Sequence, residues 1–452
     1  VALSVAHLSN GPLQDIGFRT LSCLIGEDDT LRASDKAVAS GAIEAAADAL
    51  RTHPTSLGVH DRALAVLLTL LEPAASVDGA AASLKVRVPR AVQANLVPVA
   101  VATMRHFTHQ ARISDAGALL LRALAARDPD AAASAAAGGG IEATVGAMRT
   151  HRTSAELQEH AAAALRPLVA SAAGKARAST AGALEAVSLA LFAFPEDVGT
   201  QLTCLGALKS LAVAAEVRGR PAAGAAVEAA IAALNKHGVS RHILHAETEA
   251  LMAAEACGAL CNLTVGSAAN GSRAATAGGV AAIAEAMGGE HVASVDVAEA
   301  GAAALWALAA CGASDAATAV VTDGGIDSVV RAMNTHVAAH ALQCVGAAAL
   351  RDGAAATPAA AVAAAACGGV EALLGAMRLH GNSAALQEVC CDALSAILRA
   401  TPVDVAKLAV LDGAAEVVQA ALTTRFPKHM GVRRAATMLN TLLQPHIWGA
   451  KR

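Results

Sequence analysis

Tyrosine is absent from this chain, and all aromatic residues together make up only 2% of its 452 residues. Proline is sparse, at 13 residues, so the residue that most strongly breaks a helix is rarely met. Charge of one sign is also lacking: 34 basic residues face 38 acidic ones, for a net of −4. That balance carries no polyanion-binding footprint, and no nucleic-acid partner is expected. Long apolar runs of membrane type are missing too. The longest uncharged run, Gly353 to Val370, is interrupted by Pro358 and Gly368-Gly369 and is mostly alanine, which gives little drive into lipid. No membrane span is expected.

Catalytic signatures are equally absent. There is no GxxxxGK[ST] phosphate cradle, no GxGxxG between a strand and a helix, no HExxH and no GxSxG. No catalytic residue and no cofactor is therefore expected, and the chain does not read as an enzyme. Nine cysteines occur without a CxxC pair, most of them among Ala and Leu, where a thiol acts as a small apolar residue. This favours the cytoplasm or another reducing compartment. An organellar or ciliary location stays open, because Val1 is not an initiator residue and residues before it are expected. Cys257 with Cys261, His336 with His340, and His242 with His245 have helical pair spacing, but each pair lacks a third ligand nearby, so no metal site is expected.

What is present is alanine, in patterns of helical period. In Gly139 to Ser171, Ile141, Val145 and Met148 share one helix face. Ser154 is placed to cap a following helix, with Glu156 in its first turn and Leu157, Ala161, Leu165 and Leu168 as its buried stripe. The phase of Met148 recurs at Leu50, Met104, Leu191, Leu234, Met287, Met333, Met377 and Leu422, with successive gaps of 54, 44, 43, 43, 53, 46, 44 and 45 residues. A second row, Leu21, Leu68, Leu121, Leu165, Leu208, Leu260, Leu308, Leu350, Leu394 and Leu439, follows the first by 17 residues in six of nine complete pairs. A helical unit repeated with a period of about 43–45 residues is the mark of an α-solenoid. His53, His151, His237, His336 and His380 each lie three residues after a first-row residue, where an imidazole can cap the helix end. Glu44, Glu142, Glu185 and Glu371 fall at the N-termini of the same helices, where they complement the dipole rather than form an acid/base set.

Gly-Gly-Ile/Val-Glu, an apolar helix ending near Met-Arg-x-His, then Leu-Gln-Glu and Ala-Leu, together resemble the armadillo repeat. Gly324-Gly325-Ile326, Gly368-Gly369-Val370-Glu371 and Ala303-Ala304-Leu305-Trp306-Ala307-Leu308 carry the likeness best. The resemblance implies an all-α, right-handed α-solenoid of about nine to ten armadillo-like repeats filling residues 1–452. It would open with a partial repeat at 1–25 and close with a C-terminal repeat or cap at 413–452. Two breaks in the period, at 73–97 and 235–249, read as loop insertions and as contact sites. The first holds Lys85-Val86-Arg87-Val88-Pro89-Arg90.

The resemblance also implies a concave groove lined by third helices. Import receptors of this class clamp an extended peptide there with a row of Trp and a row of Asn four residues on. Here only Trp306 and Asn262 match, in different repeats, so basic nuclear-localisation peptides are not expected as ligands. The other polar residues of those rows, Ser210, Asp352 and Asp392, and the basic cluster Arg425, Arg433 and Arg434, complete the candidate partner-binding set. The expected function is a non-catalytic protein-protein interaction scaffold that docks partner proteins along the groove and inserted loops. The alternative is a permanent structural subunit of a large assembly, such as an axonemal or organellar complex.

Overall fold

The computed structural model describes residues 1–26, 31–72, 80–237 and 246–447. Among them there is no strand, and the architecture is an all-α solenoid. The chain forms two compact units, Val1–Val217 and Arg218–Arg452.

The first unit opens with α1 (Ala2–Ala6) and α2 (Gly11–Gly26). Four three-helix repeats follow: α3 (Arg32–Ala39), α4 (Ala42–Thr52) and α5 (Leu57–Leu71); α6 (Ala80–Gln93), α7 (Leu96–His106) and α8 (Ala111–Ala125); α9 (Pro129–Gly138), α10 (Gly140–Thr150) and α11 (Ala155–Leu168); α12 (Ala172–Ala181), α13 (Ala183–Ala193) and α14 (Val198–Ala212). A short helix, α15 (Ala215–Arg218), ends at the unit boundary. The second unit holds α16 (Ala222–His237) and α17 (Ala246–Thr264), then α18 (Ala268–Thr276), α19 (Gly279–Gly288) and α20 (Val295–Ala310). Next come α21 (Ser314–Thr322), α22 (Gly325–Thr335) and α23 (His340–Ala356), followed by α24 (Pro358–Ala366), α25 (Gly369–Leu379) and α26 (Ala384–Ala400). It closes with α27 (Val403–Leu411), α28 (Ala414–Ala420), a π-helical turn Ala421–Arg425 and α29 (Met430–Ile447).

Within each repeat the short first helix meets the second at a sharp corner. Gly139 makes one such corner at φ 92°, a conformation glycine adopts without a Cβ penalty. Asn95 takes the same corner in its repeat at φ 56°. The third helices α11, α14, α20 and α26 begin with capping side chains: Ser154 Oγ accepts from the Leu157 amide at 3.3 Å, and Leu157, Ala161, Leu165 and Leu168 are buried as the helical stripe requires. Third helices stack on third helices, α5 on α8, α8 on α11 and α11 on α14 in the first unit, and α17, α20, α23, α26 and α29 in series in the second. Alanine is what lets their backbones approach, since many core positions, including Ala63, Ala161 and Ala347, are fully buried alanines.

The C-terminal end of each second helix leaves carbonyls without intrahelical partners, and the first-row carbonyl lies buried under the next helix in several repeats. In these repeats a glutamine ten residues past the first-row position fills that need. Gln158 Nε2 donates to Met148 O at 2.9 Å and His151 O at 3.0 Å. Gln201 does the same for Leu191 O and Phe194 O, and Gln343 for Met333 O and His336 O. Gln387 donates to Met377 O, and Gln14 to Ser4 O and His7 O. The last pair shows that α1 and α2 form the second and third helices of a further, partial repeat.

The recurrent histidines sit where expected, at the ends of α4, α10, α22 and α25, but their rings do not cap those helices. Each reaches into the preceding repeat instead. His53 Nε2 bonds Leu8 O at 2.7 Å, His151 Thr108 O at 2.8 Å, His336 Val292 O at 2.8 Å and His380 Val337 O at 2.8 Å. The arginine two residues earlier reaches the other way. Arg51, Arg105, Arg149 and Arg378 donate to the carbonyls of Ala94, Gly139, Gly182 and Asp412, at the corner of the following repeat. Met-Arg-x-His is thus a two-way clamp between neighbours. The second-helix glutamates join it, Glu44 pairing with Arg90 and Glu142 with Arg177, both at 2.8 Å.

Residues 80–93 are helical, not a loop: α6 is a first helix lengthened to 14 residues, with Arg87 only 1% exposed. Arg87 donates to Leu70 O and Asp35 Oδ1, and Arg90 to Glu44 and Val38 O. Arg87 and Arg90 are thus spent on the preceding repeat, since a buried guanidinium needs partners. Residues 73–79 of that stretch lie outside the described residues. In the second stretch, residues 235–237 end α16 and 246–249 begin α17. Residues 238–245, with Arg241, His242 and His245, lie outside the described residues.

Gln158→Ala leaves the buried Met148 carbonyl without its side-chain donor, while His151 O keeps the Ser154 amide at 3.2 Å, and is expected to cost roughly 1–3 kcal/mol, read as a lower urea midpoint. His60 occupies the glutamine position of its repeat, its Nε2 on His53 O at 3.1 Å and its Nδ1 facing Thr103 Oγ1 at 3.2 Å. Burial pushes its pKa from 6.5 down to about 4. The unfolded chain therefore takes up a proton that native His60 refuses. The contribution of neutral His60 is complete above pH 6.5 and is lost as pH falls toward 4, a loss of about 3 kcal/mol. His60→Gln is expected to hold stability at neutral pH and to flatten this acid dependence, measured by urea unfolding across the same pH range.

Candidate functional site

Third helices carry the polar groups that the repeat clamps do not use. In the second unit, α20, α23, α26 and α29 lie side by side and present one chain of charged and aromatic residues. Trp306 Nε1 on α20 donates to Asp352 Oδ2 on α23 at 2.8 Å. Arg351 grips the same carboxylate with two bonds, Nε to Oδ1 at 2.6 Å and Nη2 to Oδ2 at 3.0 Å. Arg434 on α29 reaches Glu388 Oε1 at 3.1 Å and Asp392 Oδ2 at 3.3 Å on α26. Burial alone would raise the pKa of Asp352, but the bonds from Arg351 and Trp306 outweigh it and hold the carboxyl below its usual range. The Asp352 bond raises the pKa of Arg351, and Asp392 and Glu388 reinforce the shift.

Of the residues singled out from the sequence, the structure brings Trp306 to Asp352 and Asp392 to Arg434. Asn262 lies on α17, half-buried, in the third helix preceding α20. Ser210 lies on α14 in the first unit, where its hydroxyl donates back to Gly206 O at 2.9 Å. Arg425 does not join Arg433 and Arg434: it ends the π-helical turn and donates to Met377 O at 3.4 Å. Arg433 is exposed on α29. Arg351 and Glu388 were missed. Their partners lie beside them in sequence or about one repeat away, so a search for polar residues offset by one period is the signal that finds them.

The first unit carries a second such set. Arg112 on α8 bonds Asp61 on α5 at 2.8 Å, and His160 Nδ1 on α11 meets Asp115 Oδ1 on α8 at 2.7 Å. That bond raises the pKa of His160. Asp61, Arg112, Asp115, Ser154 and Glu156 line an open groove of about 510 Å³.

The paired residues considered as metal ligands do not converge. His336 is bonded to Val292 O, whereas His340 Nε2 bonds Ser383 Oγ at 2.8 Å and its ring faces His380 with centroids 5.3 Å apart. Burial pushes the Cys257 thiol up to about 12 and raises Cys261 as well, which keeps both protonated and poor as ligands. All nine thiols are free.

No protein-family model matches the chain, and no curated protein matches it. Among solved structures it is similar to one from a study of a phosphorylation switch controlling the interaction between cadherin and beta-catenin. The TM-score is 0.64 at 14% identity, over 95% of this chain and 87% of that one. Two engineered proteins also align, at TM-scores of 0.48 and 0.47 and identities of 20% and 24%, each over 58% of this chain. The beta-catenin structure is an armadillo-repeat protein, and the likeness establishes the fold, an armadillo-like solenoid of helices.

Because the Asp352 carboxyl is held below its usual range, it stays ionised through mild acid, and Trp306 keeps its acceptor. The Trp306 indole N–H resonance is expected not to move between neutral pH and about pH 4.5. A titration of that resonance centred inside this range would contradict the assignment.

Proposed function

We propose that the chain is a non-catalytic scaffold that binds partner proteins on its third-helix face, with the chain from Trp306 to Arg434 as a principal contact. The observation that carries this reading is the division of labour between helices. His151 and His380 at the second-helix ends, and Gln158 and Gln387 in the first turns of third helices, are bonded to backbone carbonyls of their own or adjoining repeats. Those of α20, α23, α26 and α29 are held in place by one another and remain part-exposed.

Such groups suit recognition. Trp and Arg supply much of the energy at protein interfaces when they are fixed before binding, and Asp352 fixes both Trp306 and Arg351. The alternating charges of Arg351, Glu388, Asp392 and Arg434 give a partner both orientation and salt sensitivity. Small residues between them leave room for an extended segment or a helix to approach closely. We place the protein in a reducing compartment, consistent with its free, mostly buried cysteines.

Affinity isolation of the tagged chain from its own cells, beside Trp306→Ala and a Glu388→Lys/Asp392→Lys double variant, tests the reading. Partners are expected to be depleted about tenfold or more by either change. They should be retained by Leu379→Ala, an exposed position on α25. A partner set identical in all variants would remove this face from the function. A stoichiometric set that survives high salt would favour a permanent assembly subunit over a reversible scaffold.

A further inference from the structure

We propose that Asp115, Glu156 and His160 form a binding site for one divalent cation of the zinc class on the third-helix face of the first unit. One donor atom from each residue lies within 4.8 Å of the other two. The ligands come from two neighbouring repeats: Asp115 stands on α8, and Glu156 and His160 stand one helical turn apart on α11. An imidazole with two carboxylates is a donor set that borderline divalent ions accept and that magnesium and calcium, which prefer oxygen alone, do not favour.

The surroundings leave this triad short of positive charge. Arg112, the nearest guanidinium in the groove, is bonded to Asp61 at 2.8 Å. Glu156 makes no hydrogen bond or ion pair among the described residues, although its carboxylate stands beside that of Asp115. Two carboxylates brought together repel unless a cation lies between them. Ion binding replaces the Asp115–His160 hydrogen bond, now 2.7 Å long. Bonds of about 2.0–2.2 Å to a tetrahedral ion set ligand atoms about 3.3 Å apart, so these two atoms need separate by only a fraction of an ångström. The ring gives up its Nδ1 proton to solvent as Nδ1 takes the ion. The open groove of about 510 Å³ beside Asp115 and Glu156 has space for water in the fourth position. A bound ion would tie α8 to α11 and add a positive centre to the third-helix face.

The test is calorimetric titration of zinc into the full chain after chelator treatment, with cobalt absorption as a second readout. One equivalent is expected to bind at micromolar or tighter concentration, with a d–d spectrum of nitrogen and oxygen ligands. Glu156→Gln, His160→Gln and Asp115→Asn are each expected to weaken it about tenfold or more. Cys261→Ser and Cys344→Ser should leave it unchanged. Glu156 is exposed, so Glu156→Gln is expected to unfold at the wild-type temperature without metal, which separates lost binding from lost folding. Absence of a one-equivalent site, equal affinity in all three variants, or zinc affinity no greater than that for magnesium or calcium would overturn the proposal.

Discussion

The carbonyls at the end of each second helix are the constraint around which the repeat is built. A helix leaves its last carbonyls without intrahelical partners, and here the first-row carbonyl is buried beneath the next helix, where an unpaired carbonyl costs roughly 1–3 kcal/mol. Gln158, Gln201, Gln343 and Gln387 meet the need from the next helix. A glutamine carries two donor protons on one nitrogen, so a single residue serves both Met148 O and His151 O. His60 does half of this in its repeat, reaching only His53 O.

From that requirement the regular spacing follows. The glutamine must sit ten residues past the first-row position, and the residue three further on must be small, because the first-row side chain packs against it. A Cβ added at Gly346 would come within 2.7 Å of Met333. Ala161 stands at that place after Met148, Cys204 after Leu191 and Cys390 after Met377, all fully buried. These cysteines are therefore packing residues, and burial raises the pKa of both thiols. The clamps between repeats are then added by Met-Arg-x-His, whose arginine and histidine reach opposite neighbours. Beyond their glutamine and small-residue positions, the third helices keep a part-exposed face on which Trp306, Asp352, Asp115 and His160 all occur.

Local pattern made much of the fold legible. Ser154, Leu157 and Leu165 announce their roles through helical period alone, and the armadillo-like phase follows from two rows of buried residues. Direction was harder to read. The position of His151 marks a helix end, but only the stacking of repeats decides that its ring turns to Thr108 rather than to its own helix. Residues 80–93 read as part of a loop because the repeat period lengthens there, yet they form a helix whose Arg87 and Arg90 bond the preceding repeat. At the candidate face, Trp306 and Asp352 were visible singly through their rows. Their bond, the role of Arg351 and the Asp115–His160 pair were not, because the partners come from successive repeats and no contiguous motif contains them.

Amide hydrogen exchange of the free chain tests most directly whether the glutamine junction organises the repeats. Junctions 148–158, 191–201, 333–343 and 377–387 carry glutamine. Ser114 stands at the same place after Met104, with no partner for its buried hydroxyl, and Ala298 holds that place on α20, four residues after the capping Ser294. Slower exchange at the four glutamine junctions than at 104–114 and 287–298 is the result the account predicts. Equal exchange at both kinds of junction, or faster exchange where glutamine is present, would contradict it.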